Sequence, residues 1–355
     1  MRTFVHDSSG PRIVFGPGAL AGVADEVSRL GGSRAFVLST PGRRDLADRV
    51  VEVLGDSVAG TFDGAIMHTP VGVTERAMKE ATAVGADALV SIGGGSTTGL
   101  GKAIAVRTGL PHLVLPTTYA GSEVTPVLGE TADGEKTTRS GPEIVPDTVV
   151  YDVELTTTLP WDVTVTSSVN AMAHAVEALY AAERTPTSDD TATEALSELA
   201  TGLHLLQQEP DSLDARDHLL FGAWRAGICL ATVGMGLHHK LCHTLGGTFG
   251  LPHAPTHTVV LPHVMKFNQP AAPAAIATAG AALGLTNAPG GLQVLIDGWG
   301  GPTSLAALGF NEADAPRAAA LTTGRPYPNP RELRPDDVTE LLVRATHGTR
   351  IGADR

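Results

Sequence analysis

The chain reads as an α/β domain with a mainly parallel sheet followed by an all-α domain, and three patterns predict this. Before about residue 155, short β-branched runs alternate with amphipathic stretches. A Gly-rich turn joins one such run to a helical stretch, and after Leu159-Pro160 strand signals give way to long Ala/Leu-rich segments. Runs 35–39, 88–92 and 113–115 are apolar and too short for helices, so they are read as strands. Helical spacing of apolar residues predicts a helix over 73–85 between the first two. In the second half the same spacing predicts helices over 163–182, 191–208, 214–234 and 271–282. No internal repeat is present, and Ala richness is the only compositional bias.

Composition excludes several function classes. With 355 residues and 42% hydrophobic content, the chain can bury a sizeable core in two domains. No apolar run is long enough to span a bilayer, and no apolar core follows Met1-Arg2-Thr3-Phe4. The expectation is therefore a soluble cytoplasmic protein without a signal peptide. Cys229 and Cys242 sit in apolar helical surroundings and are expected to be core thiols. A formal charge of −13 argues against nucleic acid or an anionic membrane surface as partner. An anionic small molecule would need local positive groups working against that field.

Gly93-Gly94-Gly95-Ser96 follows the strand ending at Ile92 and opens a helix containing Lys102. Bare glycines let backbone amides approach a pyrophosphate, and a helix start favours its charge, although many such turns are only tight connections. Thr117-Thr118-Tyr119-Ala120-Gly121-Ser122-Glu123 follows the next strand and offers hydroxyls at its carboxyl end, where open α/β sheets bind ligands. A turn that satisfies its own backbone would look the same.

In the second half, Asn170 and His174 lie four apart in a strongly helix-forming stretch, so they share a face. His238-His239-Lys240-Leu241-Cys242-His243 follows, and then His253 and His257, again four apart. A carboxylate at position 170 would complete a cage of one carboxylate and three histidines. The chain supplies a neutral amide there instead.

This pattern, with the Gly-Gly-Gly-Ser turn, resembles the iron-containing alcohol dehydrogenase family over nearly the whole chain. The resemblance implies a dehydroquinate synthase-like fold: a dinucleotide-binding domain over 1–155, a connection over 152–160, and a helical domain over 156–355 carrying the histidines. It places Asn170, His174, His239 and His253 at the family's metal ligands, the first of which is lost, and His243 at an active-site histidine that binds no metal. It assigns the cofactor to Gly94, Gly95, Ser96, Thr117, Thr118 and Ser122, and puts Lys136 near the nucleotide. The family's Asp three residues after the serine is Gly99 here. Thr40 stands where many members carry an Asp beside the adenosine ribose, so no acid repels a 2′-phosphate and Arg43 or Arg44 can attract one. NADH or NADPH is the expected cofactor, and a homodimer fits the family.

Within the family, residues 117–123, 238–243 and 251–263 are most similar to the branch that reduces maleylacetate to 3-oxoadipate in aromatic breakdown. That implies a small dicarboxylate substrate. Exchange of a charged ligand for an amide costs at least the roughly 10 to 100-fold in affinity typical of losing an outer-shell partner, so no metal is expected. Three histidines alone do hold zinc elsewhere, which keeps a zinc- or iron-dependent alcohol dehydrogenase as an alternative. A catalytically inactive NAD(H)-binding sensor is a further one, opposed by retention of His243 and of the glycine turn. Without metal, His243 is expected to relay the proton, with His174, His239 and His253 lining the pocket and Lys240 assisting. Asn170, His257, Tyr327 and Arg331 are the expected substrate contacts, the last two as a carboxylate clamp.

Overall fold

The computed structural model describes residues 1–7, 10–132 and 135–352, with the side chains of 135 and 136 left out. Two compact units divide it: Met1–Leu159 with Asp211–Leu220, and Pro160–Pro210 with Phe221–Arg355.

The first unit is built on strands β1 (Phe4–His6), β2 (Arg12–Phe15), β3 (Ala35–Leu38), β4 (Val58–Phe62), β5 (Ala88–Gly93), β6 (His112–Pro116) and β9 (Thr148–Tyr151). They form one sheet in the order β1-β2-β9-β6-β5-β3-β4, parallel except for β1. A separate hairpin pairs β7 (Val127–Ala132) with β8 (Glu135–Ser140). The unit also contains helices α1 (Val23–Arg29), α2 (Arg44–Leu54), α3 (Val71–Ala83) and α4 (Gly95–Thr108) and the start of the later helix Leu213–Thr232.

Strand β3 shows why its run is apolar throughout. Ala35 and Val37 enter one core with residues of α1 and α2, while Phe36 and Leu38 enter another with residues of α3 and α4. Successive side chains point to opposite faces, and both faces are covered, so alternation with polar residues disappears. The sheet order reverses at β3: β4 lies on one side of it, and β5 and then β6 on the other. The carboxyl ends of β3 and β5 thus flank a topological switch point, where doubly wound sheets bind ligands.

The second unit contains α5 (Trp161–Ala178), α6 (Pro186–Gln208), the later part of α7 (Leu213–Thr232), α8 (Leu237–Phe249), α9 (His253–Asn268), α10 (Pro273–Ala282), α11 (Ala288–Gly298), α12 (Ala315–Thr323) and α13 (Pro335–Thr346). Every residue of α5 from Thr164 to the helix end is buried, so it is the unit's central rod. Leucines and alanines of α8, α12 and α13 close a core with Val259, Val260, Val264 and Phe267 of α9.

The second helix begins five residues earlier than its apolar spacing predicts. Thr185 Oγ1 accepts from the Ser188 amide at 3.2 Å, Ser188 Oγ accepts from the Thr185 amide at 2.7 Å, and Pro186 occupies the first turn. No single helix among the described residues is long and apolar enough to cross a membrane.

Candidate active site

At the switch point, Gly93 leaves β5 at φ 149°, a conformation that favours glycine, and the next residue caps α4. The amide of Thr117, at the end of β6, donates to Gly93 O at 2.9 Å, which ties the two predicted loops together. A side chain on Gly94 would strike Thr118 Cγ2 at 2.9 Å, so the loops touch because that glycine is bare. Gly94, Gly95, Ser96, Thr117, Thr118 and, one strand away, Thr40 all sit at carboxyl strand ends. The hydroxyls of Thr97 and Ser122 are buried and have no protein partner, an arrangement suited to a bound polar group. Lys136 pairs through its backbone with Thr131, and its side chain lies outside the described residues.

Gly99 follows from packing. A Cβ there would meet Thr69 Oγ1 at 2.6 Å, and Thr69 itself is held at φ 44° beside His68 at φ 67°. This strained pair occupies the space that an aspartate at 99 would need.

Lys102 is a residue whose role the motif reading missed. Its buried ammonium donates to the carbonyls of Ser122 and Thr125 at 2.7 Å each, to Val127 O at 3.1 Å and to Thr125 Oγ1 at 3.1 Å. It thereby fixes the loop that presents Ser122. Burial pulls its pKa down to about 7, with the charge of nearby Glu123 opposing. Of the two arginines after β3, Arg43 is engaged by Asp45 at 3.2 Å and Thr158 Oγ1 at 2.8 Å. Arg44 is exposed.

The histidines converge in the second unit. Asn170, His174 and Glu177 share one face of α5. His174 Nδ1 lies 2.7 Å from His239 Nε2, and His239 Nδ1 lies 2.7 Å from Glu177 Oε2. Glu177 is fully buried, and it also accepts the amides of Gly236 at 3.0 Å and His238 at 2.8 Å, the free donors at the start of α8. One carboxylate therefore both caps α8 and orients His239. Its spacing three residues after His174 was the signal that could have found it.

Gly250 ends α8 at φ 72°, with its amide donating to Gly246 O at 3.2 Å and the Leu251 amide to Leu245 O at 3.3 Å. This turn starts α9 at His253, whose ring centroid is 6.2 Å from that of His243 and 4.4 Å from that of His257. His243 is exposed on α8, with its centroid 6.2 Å from His239, and His253 is half-buried.

Two expected substrate contacts are already engaged within the protein. His257 is fully buried and bonded to His238 at 2.9 Å (Nδ1 to Nε2). Burial, with neighbouring histidine charges adding, drives the pKa of both well below the ordinary value, so neither supplies positive charge to a carboxylate. Arg331 places its guanidinium 4.1 Å from the Phe267 ring centroid and pairs with Asp337 at 3.2 Å. Its charge is already matched. Lys240 is exposed, with its ammonium 5.6 Å from the Tyr327 ring centroid. Cys229 and Cys242 are buried free thiols, and burial pushes the Cys229 thiol up to about 12.

At the family's ligand positions the donors are one neutral amide oxygen and three histidines, and beside them the ligand atoms of His238, Cys242 and His257 all lie within 4.8 Å of one another. Zinc–nitrogen bonds of about 2.0 Å in tetrahedral geometry hold two ligand nitrogens about 3.3 Å apart. The His174 and His239 nitrogens lie 2.7 Å apart, bonded to one another, and Asn170 Oδ1 is a neutral acceptor with no partner.

Two family models account for most of the chain: iron-containing alcohol dehydrogenase over 10–153, and the C-terminal part of the Fe-containing alcohol dehydrogenase family over 164–346. The chain belongs to the iron-containing alcohol dehydrogenase family, whose members are oxidoreductases. Maleylacetate reductase 1 of Rhodococcus opacus is 51% identical to it over 347 residues, 98% of this chain and 97% of that protein. The crystal structure of maleylacetate reductase from Agrobacterium tumefaciens matches with a TM-score of 0.93 at 50% identity, covering 99% of this chain and 100% of that one. That of maleylacetate reductase from Rhizobium sp. strain MTP-10005 matches with a TM-score of 0.92 at 50% identity and the same coverage.

Proposed function

We propose that this oxidoreductase reduces maleylacetate to 3-oxoadipate with NADH or NADPH, without a metal, in the breakdown of aromatic compounds. The relatives named for that reaction, matched over nearly the whole chain, support the substrate. The observation that carries the metal-free mechanism is the His174–His239 bond beside the neutral amide of Asn170.

Bound NAD(P)H supplies the hydride. The product keeps its ketone, so the substrate accepts hydride at the alkene carbon next to the carboxylate. The π electrons move onto the ketone oxygen as an enolate, and the other alkene carbon then takes a proton. His243, the exposed member of the cluster, donates that proton, with half-buried His253 beside it at 6.2 Å between ring centroids. Both ring nitrogens of His239 are engaged, Nδ1 by Glu177 Oε2 and Nε2 by His174 Nδ1, so it acts by fixing the orientation of the imidazole pair rather than by donating to the substrate. The glycine turn and the hydroxyls of Thr117, Thr118 and Ser122 hold the pyrophosphate, Thr40 faces the ribose, and exposed Arg44 is the partner for a 2′-phosphate. Membership of the family supports a homodimer, and the absence of an apolar spanning helix among the described residues is consistent with a cytoplasmic enzyme.

One observation favours the metal-dependent alcohol dehydrogenase reading: a metal-bound histidine commonly gives its other nitrogen to a carboxylate, as His239 does to Glu177. A single experiment separates the two. NADH oxidation by freshly generated maleylacetate is followed before and after exhaustive chelation, with metal content measured on the same protein. Full activity in metal-free protein is expected. Activity lost on chelation and restored by zinc or iron would overturn the metal-free mechanism, and no activity with this substrate would overturn the reaction.

A further inference from the structure

Beside the histidine cluster, within the second unit, lies a cavity of about 480 Å³. Lys240 and Thr244, one turn apart on α8, form one side of it. The last turn of α12 and the loop through Arg325 and Tyr327 form the other. Its lining contains two cations and no carboxylate, in a chain whose formal charge is −13.

The ordinary explanation for cations at this place is neutralisation of the carbonyls that end α12. The side chains do something different: neither the Lys240 ammonium, 5.6 Å from the Tyr327 ring centroid, nor the Arg325 guanidinium makes a hydrogen bond or ion pair to a described residue. Three other arginines of this unit are matched, Arg331 with Asp337, Arg334 with Glu332 and Arg225 with Glu194, while Arg317 lies over the Phe249 ring. Tyr327 adds a third donor. Its hydroxyl oxygen is buried without a hydrogen-bond partner, and burial, with the charge of Glu177 adding, pushes the phenol up and keeps it protonated. That influence of Glu177 also places Tyr327 near the carboxylate that orients His239. Leu321, half exposed, gives the wall an apolar strip for methylene groups.

We propose that this cavity is the subsite for the distal carboxylate of the substrate, with Arg325 and Lys240 as its cations and the Tyr327 hydroxyl as its neutral donor. The proposal rests on the dicarboxylate reading above and adds where the second charge is bound. Arg325 takes the role that position 331 suggested in the sequence. Guanidinium suits a carboxylate because its planar donors engage both oxygens at once.

The test compares Arg325→Gln and Arg325→Lys with wild type, using maleylacetate and 4-oxopent-2-enoate, which carries the same enone and lacks the distal carboxylate. Arg334→Gln, at an exposed pair outside the cavity, serves as control. Arg325→Gln is expected to raise KM for maleylacetate about 10 to 100-fold, the loss typical of a charge-assisted hydrogen bond, with kcat nearly unchanged. KM for the monocarboxylate should not move, and Arg325→Lys should recover part of the loss. An unchanged KM for maleylacetate in Arg325→Gln would overturn the subsite while leaving the reaction standing.

If wild type fails to reduce maleylacetate, the reaction itself is wrong, and calorimetric titration with adipate decides the cavity separately. Weaker adipate binding in Arg325→Gln supports it and equal binding overturns it. Inorganic phosphate that displaces adipate at similar concentrations would show a general anion site and overturn the assignment to a substrate carboxylate.

Discussion

Asn170 Oδ1 is a buried acceptor without a donor, a condition that typically costs about 1–3 kcal/mol. A helix as tightly packed as α5 would not need to keep such a residue for stability, so the position is explained by what the amide does to its neighbours. A carboxylate there would favour a cation between Asn170, His174 and His239, and the neutral amide leaves the two histidines bonded to each other. Asn170→Asp is therefore expected to bind zinc at least tenfold tighter than wild type, measured by calorimetric titration of the chelated protein. Equal zinc affinity in the two proteins would sink this account of the site. The absence of a carboxylate at 170 was legible in the sequence, because two residues four apart on a helix must share a face. The true bonding of His257 and Arg331 was not. Histidine can be a buried neutral group or a charged ligand, and only the depth of α9 and the position of Asp337 decide between them.

Among the elements, α8 depends most on a partner distant in sequence. Its first residues include no side chain that caps them, and Glu177 of α5, with Asn329 accepting from the Leu237 amide at 3.3 Å, completes the terminus. Gly236 has room only because it is bare: a Cβ would meet both Glu177 Oε1 and Asn329 Oδ1 at 3.1 Å. Glu177→Gln keeps the size and loses the charge that bonds His239 and faces the helix dipole. We expect it to lower stability by about 3 kcal/mol in urea titrations, and to reduce kcat because His239 loses its fixed direction. A variant that keeps full stability would show that the cap is incidental. Loss of kcat without loss of stability would confine Glu177 to orienting His239. Helix positions were readable from apolar spacing, whereas this cap was not, since it joins residues about 60 apart by way of the fold.

At the scale of the whole molecule, the order of α/β and helical halves was legible because both faces of the sheet are buried and its strands are continuously apolar. The return of residues 211–220 to the first unit was not. It is held by buried Arg216, donating to Thr156 O at 2.6 Å and Thr157 O at 3.2 Å, and by Asp217, which accepts from the Arg2 amide at 2.7 Å, contacts that no periodicity announces. Both units also bury histidines that titrate far from their usual range. Burial takes His112 down to about 3 and His263 to about 4, and drives His238 and His257 well below 6.5. Each is neutral in the folded chain and takes up a proton near pH 6.5 when unfolded, so the unfolded state binds more protons below that pH. The stability these groups contribute is fully present above pH 6.5 and is lost as pH falls toward the folded values. One unit below 6.5 the loss is about 1.4 kcal/mol per histidine, or about 5–6 kcal/mol for four, which matches the total stability of many domains. Urea midpoints should therefore drop steeply between pH 7.5 and 5.5. His112→Gln, which can still bond the Ser91 hydroxyl that His112 holds at 2.8 Å, should remove about one quarter of that drop. Midpoints that do not change across this range would mean that the buried histidines accept protons in place, and the neutral, hydrogen-bonded pairs described for His238 and His257 would have to be abandoned.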